Sequence, residues 1–583
     1  MLILLKGNGK GKSSSAFGTM ARSLGHGQQC AVIQFIKGRR ETGEYLFFRD
    51  HPKLDWHIMG HGFTWETQNR ERDIEAAEAA WAVAKGLLEN PAYHMIVLDE
   101  MSYMFKYGYL DPEPVVEALK RRGDRILMST ATVSCPALFI AAPASGQGKT
   151  TVTAGLARLL RNQGKVVRVF KTGPDYLDPQ ILAQASGQPV DQLDLWMAGE
   201  AYCRQRFYDA ACEADLILVE GAMGLFDGEP SSADLAALFD IPMVIVMDVK
   251  GMAQTAAALV SGLVGFRDDI HIAGLIANAC GSARHRELIE GALPATIPLL
   301  AAMPRDPALS LPERHLGLVQ AAEIREDLEA RFEAGAKALE AAGLLESLAA
   351  LSPVTFTAPQ EQLAAVKPLL KGHTIGVARD AAFSFVYQAN LDLLEQMGAT
   401  LRFFSPLTDS RLPECDALWL PGGYPELHAQ TLADNGAMRS AIEAFYRADK
   451  PILAECGGLL YCLETLTDYD DITHTMLGLL PGQGAMRGRR GCQGMQTAEL
   501  PEGPVRGHAH HRSMAEGTLE PIGHGRRQRH PAPGEAIYRQ KRLTATYLHL
   551  FFPNNPDAVA RLFSASPAYC EPQHSEAFTH AIE

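Results

Sequence analysis

Two glycine-rich turns, each ending in a lysine and a hydroxyl residue, constrain this chain more than any other feature. The first reads Gly7-Asn8-Gly9-Lys10-Gly11-Lys12-Ser13 and the second Ala144-Ser145-Gly146-Gln147-Gly148-Lys149-Thr150-Thr151. Each follows an apolar run (residues 2–5 and 137–142) and each leads into a helical pattern. The arrangement binds phosphate because glycines let consecutive backbone N–H groups face an anion, while a helix N-terminus and a lysine supply positive charge. In the second loop Pro143 stands where the usual spacing has its first glycine, but the order strand, turn, helix is kept. Strand–loop–helix units of this kind sit on parallel sheets, so the chain is expected to hold two doubly wound α/β domains of phosphate-loop type.

The rest of the chain fits that division. At 583 residues it exceeds what one core supports. Residues 1–132 alternate strand patterns (2–5, 30–35, 54–59, 95–98, 125–128) with helical periodicity over 74–90. Residues 136–345 restart the alternation, with strands at 137–142, 166–170, 216–219, 243–247 and 272–277 and a helix at 151–163. A Glu/Ala/Leu-rich helix over 320–350 precedes a linker, placed at 346–372 around the stretch 352–368. A third α/β domain, 373–560, carries strands at 374–378, 400–404, 417–420, 451–454 and 543–550, and 561–583 reads as a tail.

The third domain brings different chemistry. Ala454-Glu455-Cys456-Gly457-Gly458 joins an apolar strand to a helical segment, the context of a nucleophile elbow. Such a turn exposes the sulfur near a helix N-terminus, which is expected to lower the thiol pKa. His549 is the candidate base, and Gly422 and Gly423 form a turn whose N–H groups can hold an oxyanion. In the second domain Lys149 is placed to reach the β/γ-phosphates of ATP and Thr150 to hold Mg²⁺ through its hydroxyl. Carboxylates follow the next strands in Lys171-Thr172-Gly173-Pro174-Asp175-Tyr176-Leu177-Asp178-Pro179 and Glu220-Gly221-Ala222-Met223-Gly224-Leu225-Phe226-Asp227-Gly228. His508, His510 and His511 have no cysteine or carboxylate at ligand spacing, so they read as a substrate-facing or structural loop.

These motifs, with Leu311-Pro312-Glu313-Arg314-His315-Leu316-Gly317-Leu318, resemble the cobyrinic acid a,c-diamide synthases over residues 137–552. The resemblance implies a dethiobiotin synthetase-like fold for 136–345 and a class I glutamine amidotransferase-like domain after it. It implies ATP-dependent activation of the a and c carboxylates of a corrinoid, with glutamine supplying ammonia. Asp175 and Glu220 would serve Mg²⁺–ATP, and Tyr176, Leu177 and Asp178 would face the carboxylate. Gly146, Gly148, Thr151 and Asn278 would complete the nucleotide site. One departure stands out: the family's R-G-H-E-F-H-Y-S reads Arg506-Gly507-His508-Ala509-His510-His511-Arg512-Ser513, without its Glu and Tyr.

Residues 1–130 resemble the corrinoid adenosyltransferases through Gly7–Ser13, Gln34-Phe35-Ile36-Lys37-Gly38, the stretch 62–71, Val97-Leu98-Asp99-Glu100 and the stretch 101–111. That resemblance implies adenosyl transfer from ATP to cobalt(I). Gly9, Gly11, Lys12 and Ser13 would bind triphosphate, Glu100 would help with Mg²⁺, and Phe63 and Trp65 would pack on the corrin face. The likeness stops near Thr130, a strand and a helix short of the family's length.

Composition removes other classes. A net charge of −14 argues against a nucleic-acid partner, and with Cys456 and His549 it argues against a partition-type ATPase acting on DNA. The short run Arg526-Arg527-Gln528-Arg529 reads as a solvated loop. Ten cysteines without paired spacing read as reduced thiols. The opening segment lacks a basic flank, and 241–249 is too short to span a bilayer, so no membrane partner and a cytoplasmic address are expected. An amidase for another tetrapyrrole, such as a nickel sirohydrochlorin, is the alternative reading, and a homodimer is left open.

Overall fold

The structure is a computed structural model that describes residues 2–5, 11–36, 42–60, 70–90, 92–101, 104–105, 107–121, 126–130, 132–311, 313–314, 317–318, 325–349, 351–358, 366–488 and 491–564. Three large sheets follow the three sequence units. The first has five parallel strands in the order Leu2–Leu5, Ile126–Thr130, Tyr93–Asp99, Gln29–Gln34 and Leu54–Ile58. The second has seven, in the order Leu299–Pro304, Ile272–Cys280, Met243–Asp248, Ala137–Ala141, Leu216–Glu220, Val167–Thr172 and Asp191–Leu193, again all parallel. Helices cover both faces of such a sheet. Its central strand Ala137–Ala141 is therefore buried along its whole length and reads as a continuous apolar run.

The helix Arg325–Ala341 folds back on the phosphate-loop helix Lys149–Asn162. Gly155 and Gly335 meet at that crossing, where a Cβ on Gly155 would come within 3.1 Å of the Gly335 backbone. Arg158 fixes the pair through Glu329 (2.6 Å) and Glu333 (2.9 Å).

The third sheet is mixed. Thr400–Phe404, Thr374–Ala378, Ala417–Leu420, Ile452–Glu455 and Leu543–Thr546 run parallel. Pro533–Gln540, Gly523–Arg527, Cys492–Leu500, Gly503–His511 and Leu548–Leu550 continue the sheet antiparallel. The expected single strand over 543–550 is thus two, broken at Tyr547, and His549 belongs to the antiparallel half. The expected linker also needs correction. Val354–Thr357 pairs antiparallel with Thr132–Cys135, and Phe356 is buried against Phe207 with ring centroids 5.3 Å apart. Val354 and Phe356 need a sheet edge to cover them, and the partner edge lies more than two hundred residues earlier in the chain.

No helix among the described residues is long and apolar enough to cross a membrane.

Candidate functional site

The second phosphate loop is built as its sequence requires. Gly146 and Gly148 have φ of +74° and +92°, a region that favours glycine. A Cβ on Gly148 would also strike Asn278 Nδ2 at 2.1 Å. Asn278, at the end of Ile272–Cys280, donates to the Gln147 carbonyl (3.0 Å) and so props the loop from below. Lys149 is buried at the start of its helix and donates to the carbonyls of Met223 (2.8 Å) and Ala144 (3.2 Å). Burial, and then the neighbouring Lys171 charge, pull its ammonium down to about 8.

Sequence reasoning passed over Lys171, which the structure puts at the centre. It closes the strand Val167–Thr172, is 3% exposed, and its Nζ lies 2.5 Å from Asp178 Oδ2, 2.6 Å from Glu220 Oε1 and 3.6 Å from Asp175 Oδ2. Burial alone would lower its pKa, but the carboxylates around it raise it well above the usual value. Burial opposes ionisation of Asp178 too, yet the Lys171 charge holds it below the usual carboxylate range. Asp175 is pushed up to about 7 by burial and by Asp178 beside it. Its Oδ1 also accepts from the backbone N–H groups of Leu177 (3.0 Å) and Asp178 (3.1 Å) and holds the turn.

Thr150 Oγ1 donates to Glu220 Oε1 (2.8 Å), while the other Glu220 oxygen, Oε2, is buried with no partner among the described residues. An orphaned buried carboxylate oxygen beside a hydroxyl is satisfied by a hard divalent cation, so the residues fit Mg²⁺. Thr150, Thr151, Lys171, Asp175, Leu177, Asp178 and Glu220 line one cavity of about 890 Å³.

The cysteine turn is a strained elbow. Cys456 has φ 47° and ψ −100° between the strand Ile452–Glu455 and the helix Gly457–Cys462. A non-glycine residue held there stores roughly 1–3 kcal/mol, which the surrounding packing must support. Its Sγ lies 3.9 Å from the His510 carbonyl. The expected low pKa is not found. Burial, and then the Glu426 charge, push the thiol upward, and the opposing hydrogen bond from the Gly457 N–H is smaller. A helix N-terminus does not overcome desolvation of a sulfur that is 4% exposed.

His549 lies opposite His508 in the strand pair and packs so closely on Gly422 that a Cβ there would meet its ring at 2.1 Å. Both ring nitrogens are buried without a partner among the described residues. Burial, and then His508, His510 and His511, drive its pKa well below normal. Thiol and imidazole are therefore both neutral. Gly423 N lies 3.0 Å from the point where a Gly457 Cβ would stand, so the two glycine turns converge beside the cysteine. Glu455, which sequence reasoning did not single out, ties the strands that carry Cys456 and His549 together. It accepts from the Leu550 N–H (2.9 Å) and from Trp419 Nε1 (2.9 Å).

The two centres share a wall. Tyr176, expected at the acid substrate, is 6% exposed and stacks on Phe385 (5.0 Å, 13°) and on His549 (4.7 Å, 37°). Its hydroxyl meets that of Tyr387 at 2.8 Å, and Gln180 Nε2 donates to the Ser384 carbonyl (3.0 Å) alongside. Phe385, Tyr424 and His510 line both the nucleotide cavity and the pocket at Cys456.

The histidine loop gains partners that sequence spacing hid. His511 Nε2 lies 3.3 Å from Glu535 Oε2, and both converge with Cys492 from three strands, their ligand atoms within 4.8 Å of one another. Arg527 already sets a guanidinium 3.9 Å from the Cys492 sulfur.

In the first domain Gly9, Phe63 and Trp65 lie outside the described residues. Gly11, Lys12 and Ser13 form the first turn of the helix Gly11–Gly25, with their side chains outside the description. Glu100 follows Tyr93–Asp99 with φ +64°, next to a buried Asp99 that accepts from Gln34 Nε2 (3.1 Å).

Comparison with known proteins agrees with this three-part layout. Residues 1–131 match the family ATP:corrinoid adenosyltransferase BtuR/CobO/CobP, 138–319 the CobQ/CobB/MinD/ParA nucleotide binding domain, and 374–557 the CobB/CobQ-like glutamine amidotransferase domain. The chain is 55% identical over 430 residues to the hydrogenobyrinate a,c-diamide synthase of Stutzerimonas stutzeri, covering 74% of this chain and 98% of that one. It is 52% identical over 430 residues to the enzyme of that name from Pseudomonas aeruginosa, with the same coverage. It is 46% identical over 442 residues to the cobyrinate a,c-diamide synthase of Herminiimonas arsenicoxydans, covering 75% and 99%.

Proposed function

The chain belongs to the hydrogenobyrinate and cobyrinate a,c-diamide synthase family, and on that premise we propose how its residues divide the work of amidating a corrinoid. It is a glutamine-dependent carbon–nitrogen ligase with a nucleotide-binding domain and an adenosyltransferase-like domain in front. A carboxylate is a poor acyl donor because its leaving group is oxide. Its oxygen attacks the γ-phosphoryl of ATP, ADP departs, and the acyl phosphate formed is then attacked by ammonia, releasing phosphate. Positioning and neutralisation of charge carry most of such a phosphoryl transfer.

Lys149 and the N-terminus of its helix hold the phosphates. Mg²⁺, when bound, would be held by Thr150 and Glu220 with Asp175 beside them, and it would neutralise phosphate charge. Lys171 keeps Asp178 ionised and positions the carboxylate cluster, and Asp178 faces the carboxylate to be amidated. In the cysteine pocket Cys456 attacks the glutamine amide carbon as His549 accepts the thiol proton. His549 then returns it to the departing ammonia, and water hydrolyses the thioester. The Gly423 and Gly457 N–H groups face the developing oxyanion.

The observation that carries the reading is the stacking of Tyr176, from the activating side, directly on the His549 ring. Phe385, Tyr424 and His510 line both cavities, so nitrogen freed at Cys456 would cross this shared wall to reach the acyl phosphate. The N-terminal domain is proposed to transfer adenosyl from ATP to cobalt(I) of the same corrinoid, and a cytoplasmic address is proposed with it.

The test incubates the full chain with cobyrinic or hydrogenobyrinic acid, ATP, Mg²⁺ and glutamine, and counts added amides by mass spectrometry. Two amides on either acid are expected, and unmodified acids despite ATP turnover would reject the reading. A reduced cobalt corrinoid with ATP alone reports on adenosylation separately.

A further inference from the structure

A second cleft, of about 370 Å³, opens beside the nucleotide cavity and shares Thr172, Pro174, Ala222, Met223 and Gln493 with it. The second domain contributes one wall, with Leu195, Met223 and Leu235 beside Asp194, Asp227 and Glu229. Asp194 and Asp227 accept from backbone N–H groups of their own turns. The antiparallel half of the third domain contributes the other wall. Arg527, Arg529 and His530 stand on that other wall. The basic run expected to be a solvated loop therefore reaches across the domains. Arg526 and Arg529 still fit the solvated part of that expectation, their side chains 70% and 50% exposed beside Glu499 and Glu229. Arg529 meets the Glu229 carboxylate at 2.9 Å, and Gln528 Nε2 donates to the Glu229 carbonyl (3.2 Å).

Two buried polar atoms in the same cleft lack partners among the described residues. Gln496 is fully buried; its Oε1 accepts from the Glu535 N–H (2.7 Å), but its Nε2 has nothing. His508 is 3% exposed, and its Nδ1 has nothing. Burial without a partner is unfavourable by about 1–3 kcal/mol for each such group, so both point to a polar ligand. Burial, and then His510, bring the His508 pKa down to about 3, so it meets a ligand as a neutral hydrogen-bonding group.

We propose that this cleft holds an edge of the macrocyclic substrate that bears carboxylates other than the one being amidated. Arg527 and Arg529 form its cationic rim with His530 beside them, Gln496 and His508 are its neutral anchors, and Leu195, Met223 and Leu235 receive the ring face. The proposal rests on the diamide synthase reading and names its substrate subsite. A ring with several acid side chains carries far more charge than any one amidation uses. Guanidinium groups at the rim of a cleft recognise carboxylates with directional, charge-assisted bonds. Because the cleft shares Thr172, Pro174, Ala222, Met223 and Gln493 with the nucleotide cavity, a ring edge anchored there extends toward that cavity.

The test is steady-state amidation of cobyrinic and hydrogenobyrinic acids by the full chain and its Arg529→Ala, His530→Ala, Arg529→Lys and Glu229→Ala variants. Arg529→Ala is expected to raise the KM for the acid about tenfold or more, with His530→Ala changing it less. The KM values for ATP and glutamine and the basal glutaminase rate stay as in the parent chain. Arg529→Lys recovers most of the loss. Glu229→Ala keeps the Arg529 charge and leaves the acid KM unchanged or lower. An unchanged acid KM in both alanine variants would overturn the assignment. So would a Glu229→Ala variant that reproduces the Arg529→Ala defect, because Arg529 would then be only a strap between domains. If the parent chain forms no amide at all, the diamide synthase reading fails and this proposal with it.

Discussion

The nucleotide cavity and the cysteine pocket share a wall but solve opposite electrostatic problems. Around Lys171 every carboxylate has a cation within 3.6 Å, which holds Asp178 below the usual carboxylate range, while burial and Asp178 raise Asp175 to about 7. Around Cys456 the reactive groups are neutral, and the His549 nitrogens have no protein partner among the described residues. The first arrangement sets its charged groups in place before a ligand arrives, and Lys149, its pKa lowered to about 8, completes its charge when an anion binds. The second holds the thiol protonated, so on the proposed function its proton would leave only as glutamine is attacked. Energy is ready at one side of the wall, and nitrogen is released only on demand at the other.

Four expected outcomes test that contrast. Cys456→Ala removes the nucleophile, so glutamine-dependent amidation should fall by about three orders of magnitude or more. Amidation with free ammonia should persist at the untouched activating site, and loss of both would break the division between the pockets. Lys171→Ala leaves Asp178 and Glu220 facing each other without their cation. Breaking a buried ion cluster in this way costs about 3–5 kcal/mol, readable by denaturant unfolding. Both ammonia- and glutamine-driven amidation should be lost with it.

Tyr176→Ala deletes the ring stacked between the centres. The ratio of glutamine hydrolysed to amide formed should rise severalfold, whereas Tyr176→Phe keeps the stack and should lose only the Tyr387 hydrogen bond, about 1 kcal/mol. An unchanged ratio in the alanine variant would show that the shared wall does not couple the two reactions.

The smallest effect concerns pH. The free-state Lys149 pKa of about 8 lies below the usual lysine value, so its charge is present below pH 8 and is lost as pH rises through it. ATP favours the charged form, so its affinity should weaken above pH 8, by at most about tenfold per pH unit. Binding should then take up a proton, which titration calorimetry in buffers of different ionisation heat would detect.

Much of this site is written locally. Lys149-Thr150 and Cys456-Gly457-Gly458 announce themselves because a glycine turn between strand and helix is a short-range device whose backbone needs appear in adjacent residues. Lys171 was less legible because one lysine at a strand end looks like many others, and only its approach to Glu220 and Asp178 gives it a role. Glu455 is similar, since its partners Trp419 and Leu550 come from distant strands. The antiparallel half of the third sheet stayed hidden in polar, glycine-rich segments that become strands only through their neighbours.

The sequence alone therefore determined that nucleotide phosphate and a cysteine nucleophile would each meet a glycine turn on an α/β framework. Those turns obey backbone geometry that a few neighbouring residues impose. Tertiary structure decided the rest: that Tyr176 touches His549, that the linker closes a strand onto Thr132–Cys135, and that Arg529 crosses to Glu229. It also decided that burial raises the Cys456 pKa where the turn alone would have lowered it. Desolvation and contact depend on what covers a group, and here the covering residues come from across the chain.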